Sequence, residues 1–198
     1  MMRWDIINTM VNKFNYNSYL EIGTQNPTCN FDKITAPVKV SIDPFPRGPV
    51  TFIGTSDEYF NSILSDIKFD IIFIDGLHHN DQVLKDIDNS LKHLNKNGTI
   101  ICHDCLPTTR KMQERNDHGG EWCGDVWKAV AKLRKERVDL DIKVVDTDYG
   151  CGIIRQGISQ PYETLDEDYL TYDHFEFHKY DMMNIITIDQ FLEWTNSL

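Results

Sequence analysis

The chain has 198 residues, 40% of them hydrophobic and 26% charged, the composition of a globular protein of single-domain size. Twenty basic against 31 acidic side chains give a formal net charge of −11, which argues against loose electrostatic binding to nucleic acid or an anionic membrane. The longest aliphatic and aromatic run, 71–74, is too short to cross a bilayer.

In chain order, Ile6, Ile7, Met10, Val11 and Phe14 recur at helical spacing and predict an amphipathic helix within 1–16, closed by Asn15-Tyr16-Asn17. This opening lacks the apolar core of a secretory signal, so a cytoplasmic location is expected. The five cysteines, Cys29, Cys102, Cys105, Cys123 and Cys151, are odd in number and irregular in spacing, and most are expected as reduced thiols. Short β-rich segments follow at Tyr19 to Ile22, Val38 to Ile42, Val50 to Ile53, Phe69 to Ile74 and Thr99 to Cys102, mostly separated by helix-compatible stretches. Such alternation specifies a parallel sheet covered by helices on both faces.

Ser56 is placed to cap a helix over 57–67, with Asp57 and Glu58 in its first turn. Val83, Ile87, Leu91 and Leu94 form the apolar stripe of another helix, opened by Asn80 or Asp81 and stopped by Asn97-Gly98. A further helix runs from a cap at Asp125 through Val126, Val130 and Leu133. Ile142 to Val145 and Gly152 to Ile154, joined by Asp148-Tyr149-Gly150, form a hairpin expected to end the sheet. Pro107 to Gly124 is polar and contains Gly119-Gly120, the composition of a lid directly after Asp104. The aromatic tail from Gln160 reads as a docked arm with a last helical stretch, Ile188 to Trp194. The organisation is a single domain over 1–198: helix 1–16, core 17–157 with its lid at about 107–124, and arm 158–198.

Two constellations carry chemistry. Glu21-Ile22-Gly23-Thr24 closes the first strand, and Asp43 closes the second twenty residues after Gly23. In nucleoside sites a glycine lets ligand approach the backbone and a second-strand acid accepts from ribose hydroxyls; a turn glycine and a loop acid would look the same. Asn26-Pro27 replaces the usual downstream glycine, with Asn26 as a cap and Pro27 in the first turn. The second constellation is Asp75, His78, His79, His103 and Asp104, at the ends of two apolar strands with one helix between them. Two hard carboxylates at adjacent strand ends can hold a magnesium-type ion, and an imidazole can take a proton near neutral pH; caps and loop acids remain the alternative. Cys102-His103-Asp104-Cys105, with Cys123 and His118, raises a zinc site, weakened by the absence of a second C-x-x-C. In the lid, Arg110, Lys111, Arg115 and Trp122, with the later Trp127, could grip an anionic or carbohydrate ligand. Asp146 and Asp148 read as loop acids.

The ordered set YLEIGT, SIDPF, GTSDEYF, FDIIFIDGLHH and GTIICHD resembles the class I S-adenosylmethionine-dependent methyltransferases, in particular the small-molecule and sugar O-methyltransferase branch with an acid-Gly-x-His motif after the fourth strand. The resemblance covers about Asn17 to Gly157, and weakly the tail HKYDMMNIITIDQFLEW. It implies an α/β, doubly wound Rossmann-like fold, mostly parallel and ending in an antiparallel hairpin. It also implies S-adenosylmethionine as cofactor, with Glu21, Gly23 and Thr24 beside its methionine part, Asp43 at the ribose, Thr55, Ser56 and Asp57 at the adenine, and Asp75 bordering it. By the same resemblance His78 is the base, assisted by Asp75, and Asp75, His103 and Asp104 hold Mg2+, although similar enzymes have an acid where His103 stands. The implied activity is metal-assisted O-methylation of a sugar or small polyhydroxylated molecule. Methylation of nitrogen, protein or RNA without a metal, and a non-catalytic nucleoside-binding module, are the alternatives. The expected partner is a small-molecule or glycan acceptor, with no nucleic acid and no membrane; a homo-oligomer is compatible with the sequence.

Overall fold

In the computed structural model, which describes residues 1–162 and 170–198, the opening apolar stripe forms α1 (Arg3–Phe14), burying Ile6, Ile7, Met10 and Val11. Asn15 ends it in the left-handed conformation, φ 52°, which asparagine tolerates better than most residues. The chain continues as β1 (Ser18–Ile22), β2 (Val38–Asp43), β3 (Phe52–Ile53), α2 (Ser56–Ser62), β4 (Phe69–Ile74), α3 (Asn80–Lys92) and β5 (Leu94–Cys102). Then come α4 (Val126–Glu136), β6 (Leu140–Val145), β7 (Cys151–Gln156), α5 (Tyr172–Met183), β8 (Ile185–Ile186) and α6 (Ile188–Ser197).

The eight strands among the described residues join one sheet in the order β3-β2-β1-β4-β5-β7-β6-β8. Only β7 runs against its neighbours, β5 and β6. The doubly wound, mostly parallel α/β fold expected from the alternation is therefore present. The hairpin β6–β7 does not end the sheet, however, because β8 from the C-terminal arm pairs in parallel with β6. Two isoleucines thereby cover an edge that would otherwise expose unpaired backbone groups.

Strand alternation divides the core in two. Leu20, Ile22, Ile72, Ile74, Ile100 and Cys102 face Val83 and Ile87 of α3, and Val130 of α4. Tyr19, Ile71, Phe73 and Ile101 face α1 and Phe191 of α6. Trp127 is fully buried among the first set and packs on Phe175 with ring centroids 4.7 Å apart.

Several element ends differ from the sequence reading. Thr55, not Ser56, caps α2: its hydroxyl accepts from Glu58 N while the Glu58 carboxylate accepts from Thr55 N, a reciprocal box that outcompetes a serine one residue later. This helix stops at Ser62. Asp125 makes no side-chain cap on its own helix and instead caps α3, taking the Asn80 amide at 2.7 Å and the Asn80 side chain at 2.6 Å. After β1 the Asn26 cap forms, accepting from Thr28 N at 3.2 Å, but it opens only the 3-10 turn Pro27–Cys29. The arm's helices and β8 are described; its residues 163–169 lie outside the described part.

Candidate functional site

Strand order reverses between β1 and β4, and ligands of open α/β sheets bind at the carboxyl ends of strands flanking such a switch point. A cavity of about 900 Å³ lies there, in the range of small-molecule sites. Its wall includes Gly23, Thr24, Asp43, Thr55, Ser56, Asp57, Asp75, His78, His103, Asp104 and Trp122. The structure thus brings together every candidate residue for cofactor, base and metal except Glu21. That residue is 2% exposed behind the wall, held by the Tyr19 hydroxyl and by Asn30 Nδ2 at 2.7 Å. Burial raises its carboxyl to about 7 against those hydrogen bonds, so Glu21 supports the wall rather than forming it.

At one end of the cavity Gly23 adopts φ +86°, and a Cβ there would lie 2.1 Å from the Asp75 carbonyl oxygen. Glycine is what lets the ends of β1 and β4 close on each other. Asp43 is fixed by two backbone amides, Gln25 N at 2.8 Å and Phe45 N at 2.7 Å. Phe45 and Leu77, 85% and 51% exposed, border this end of the cavity; two large apolar groups in water suit coverage by a flat ring. Ser56 and Gln82 both donate to Asp86, at 2.6 and 3.0 Å, and burial raises that carboxyl to about 6.

The other side is a dense ionic cluster. His78 Nε2 lies 3.4 Å from both Asp75 Oδ1 and Asp104 Oδ2. Its Nδ1 lies 3.3 Å from the Trp122 carbonyl oxygen. A carbonyl only accepts, so in the neutral ring Nδ1 carries the hydrogen and Nε2 offers its lone pair between the two carboxylates. His103 is 3% exposed, its Nδ1 3.2 Å from Asp75 and 3.1 Å from Asp104, its Nε2 3.7 Å from Asp148. Burial disfavours the His103 cation, yet Asp75 first, then Asp104 and Asp148, raise it well above the ordinary imidazole value. Asp75 shows the converse: burial opposes its charge, but His103 and then His78 hold it far below the usual carboxylate range. Asp104 sits at φ 58°, the kind of sparsely populated backbone that collects at functional sites.

Two members were not legible in the sequence. Arg3 Nη1 donates to Asp75 Oδ2 at 2.8 Å, and Arg3 also binds Asp148 through its backbone amide and Nε, both at 2.9 Å. Asp148, read as a loop acid, is thus a member of the cluster. Separations of 145 and 72 residues leave no local signal for either contact.

The lid closes over this side. Trp122 stacks on His78 with centroids 4.8 Å apart and planes 22° apart, and buried Met112 and Cys123 line the cavity. Gly124, φ +58°, passes so close to His78 that a Cβ would lie 2.0 Å from its carbonyl oxygen. The other candidate gripping residues turn elsewhere. Arg110 pairs with Asp173 and Arg115 with Asp81 at 2.5 Å, while Trp127 is committed to the core. These charges find their partners on α5 and α3, not inside the cavity.

The expected magnesium ligands, Asp75, His103 and Asp104, do not fit such an ion. An imidazole is a poor magnesium donor, and His103 Nδ1 faces the Asp75 and Asp104 carboxylates themselves, 3.2 and 3.1 Å away. Among the described residues the trio able to bring ligand atoms within 4.8 Å of one another is Asp75, His78 and Asp104. Its carboxylates already face Arg3 and His103, and magnesium prefers an all-oxygen shell. Nor is there a zinc cluster with cysteine ligands among the described residues. The Cys105 thiol donates to the Cys102 carbonyl at 3.4 Å, and both thiols are buried and raised. All five cysteines are free. Among the described residues no helix is long and apolar enough to cross a membrane.

Residues 32–105 match the model of a family described as a methyltransferase domain. No curated protein sequence matches the chain. Among solved structures, a candidate caffeoyl-CoA O-methyltransferase from Staphylococcus aureus is similar at TM-score 0.59 and 20% identity, covering 78% of this chain and 82% of that one. The O-methyltransferase TomG of tomaymycin synthesis from Streptomyces achromogenes, in complex with S-adenosylmethionine, is similar at TM-score 0.54 and 12% identity over 78% and 79%. A Bacillus cereus O-methyltransferase holding the demethylated product gives 0.52 and 15% over 80% and 82%. At these identities the likeness to solved structures establishes the fold. Together with the matched domain it bears out the resemblance to the class I S-adenosylmethionine-dependent methyltransferases.

Proposed function

We propose that the chain transfers a methyl group from S-adenosylmethionine to a hydroxyl of a small neutral molecule, a sugar or another polyhydroxylated compound. The observation that carries this reading is one cavity with two chemically distinct walls: Gly23, Asp43 and Thr55 to Asp57 at one end, and His78 between Asp75 and Asp104 at the other. The first wall fits the cofactor because Gly23 lines it at the end of β1 and Asp43 stands where ribose hydroxyls would donate. When bound, S-adenosylmethionine supplies an electrophilic methyl group, whose bond to sulfur breaks as its bond to the acceptor oxygen forms. The chain's residues then have three tasks. Asp43 and the Gly23 turn orient the nucleoside end, Trp122 and the lid exclude water, and His78 Nε2 takes the acceptor's proton.

The wall also favours a neutral acceptor. Asp117 and Glu121 join Asp75 and Asp104 around the cavity, and among the described residues Arg3 is the only lysine or arginine lining it. An anionic group would meet like charge. Methylation of nitrogen, or a nucleoside-binding role without turnover, are the competing readings; His78 aimed into the cavity favours a proton-taking site over the second. The test is calorimetry with S-adenosylmethionine and its demethylated product, beside release of that product with a panel of hydroxylated acceptors. Binding that drops at least about ten-fold in Asp43→Ala is expected. No binding to the intact protein, or none lost on that substitution, overturns the assignment.

A further inference from the structure

Arg3 reaches the catalytic end of the cavity from the first turn of α1, and four contacts hold it there. Its backbone amide and Nε donate to Asp148 Oδ2, both at 2.9 Å, its Nη2 to Asp148 Oδ1 at 3.3 Å, and its Nη1 to Asp75 Oδ2 at 2.8 Å. Asp148 is presented by the turn after β6 and its side chain is 3% exposed. A guanidinium keeps its charge at any working pH and binds carboxylates through a rigid fork of donors. Asp75 Oδ2 is thereby taken by Arg3, while its Oδ1 faces His103 Nδ1 at 3.2 Å.

We propose that Arg3 is a cation built into the chain at the place where a divalent ion would otherwise bind, so that methyl transfer proceeds without metal. The carboxylates Asp75, Asp104 and Asp148 would repel an acceptor oxygen as its proton leaves. A positive group among them offsets that repulsion. Arg3 does so from the cavity wall, clamped by Asp148, and the same charge repels a divalent ion from Asp75. Arg3 is in this sense a positioning residue: it sets the field in which His78 and the acceptor work. The inference rests on the proposed methyl transfer for its catalytic half, whereas its metal-excluding half stands on geometry alone.

The experiment titrates Mn2+ into the full chain and into Arg3→Met and Arg3→Lys, reading free Mn2+ by electron paramagnetic resonance, and measures turnover with and without excess chelator. The wild type is expected to leave Mn2+ free to about millimolar concentration and to keep its turnover in chelator. Arg3→Met is expected to bind about one Mn2+ per chain at least about ten-fold more tightly than the wild type. It should lose at least about ten-fold in turnover while its cofactor affinity stays within about two-fold. Arg3→Lys should bind no Mn2+ and recover part of that turnover. Stoichiometric Mn2+ binding by the wild type displaced by Mg2+, turnover abolished by chelator and restored by Mg2+, or an Arg3→Met chain that also leaves Mn2+ free would each overturn the proposal. The wild-type titration decides even if the variants unfold. It also decides if no acceptor is methylated at all, in which case the functional reading fails separately.

Discussion

In the proposed methyl transfer His78 is the residue on which the chemistry turns, and its surroundings predict how it responds to pH. Burial lowers the stability of its cation, but Asp75 and then Asp104 outweigh that and raise it above the ordinary value of 6.5. Because the neutral ring is the base, its population grows only as pH climbs past that raised value. The turnover rate should therefore have an acid limb centred above pH 6.5, visible in a pH-rate profile at saturating cofactor. His78→Ala should lower turnover by about 10²-fold or more, abolish the limb and leave cofactor affinity nearly intact. His79→Ala should do much less, since His79 Nε2 lies 3.0 Å from the Arg115 carbonyl, away from the cavity. Near-normal turnover in His78→Ala would return this histidine to a lid contact. The sequence made His78, Asp75 and Asp104 visible because adjacent parallel strands bring their carboxyl ends together whatever lies between. It hid Arg3 and Asp148 because their encounter depends on how α1 packs across the sheet, which no local spacing encodes.

At the scale of elements, the segment from Trp122 to Asp125 is one mechanical unit. Trp122 lies on His78, Gly124 passes within contact of the His78 backbone, Asp125 N donates to the His78 carbonyl at 3.1 Å, and the Asp125 side chain caps α3. The lid is thereby tied to the helix that begins two residues after the base. Gly124→Ala forces a Cβ into the His78 carbonyl at positive φ, so the lid must lift. Turnover is expected to fall at least about ten-fold, while calorimetric cofactor affinity changes less than about two-fold, because Gly23 and Asp43 lie on other elements. Unchanged turnover would show that the contact is dispensable. The polar composition of 107–124 marked a segment without helix or strand, but the destination of Asp125 was not legible: an acid before a helix normally caps that helix, and only the assembled fold shows a neighbouring helix start competing for it. The two-residue β8 was equally hidden, since Ile185-Ile186 carries too little pattern to distinguish a strand from a helix end.

Across the whole molecule the negative balance has a direction. The chain carries a formal net charge of −11, and Asp117, Glu121, Asp75 and Asp104 place part of it around the cavity. Such a field attracts a cationic sulfonium, leaves a neutral acceptor indifferent and repels an anionic one. Salt separates these effects, because exposed charges are screened beyond about 8 Å at physiological ionic strength and far less in dilute buffer. The measurement compares two acceptors of one carbon frame, one neutral and one bearing a carboxylate or phosphate, with kcat/KM read at low and at physiological salt under saturating cofactor. The neutral compound should be the better substrate at low salt, with kcat/KM nearly flat as salt rises. The anionic compound should start lower and improve with salt by roughly several-fold, because screening relieves the repulsion it meets at the cavity mouth. An anionic acceptor that is preferred at low salt and loses rate as salt is added would contradict the neutral-acceptor reading. It would direct attention to the lid cations Arg110 and Arg115, which in this structure are paired with Asp173 and Asp81, as groups released when such an acceptor binds.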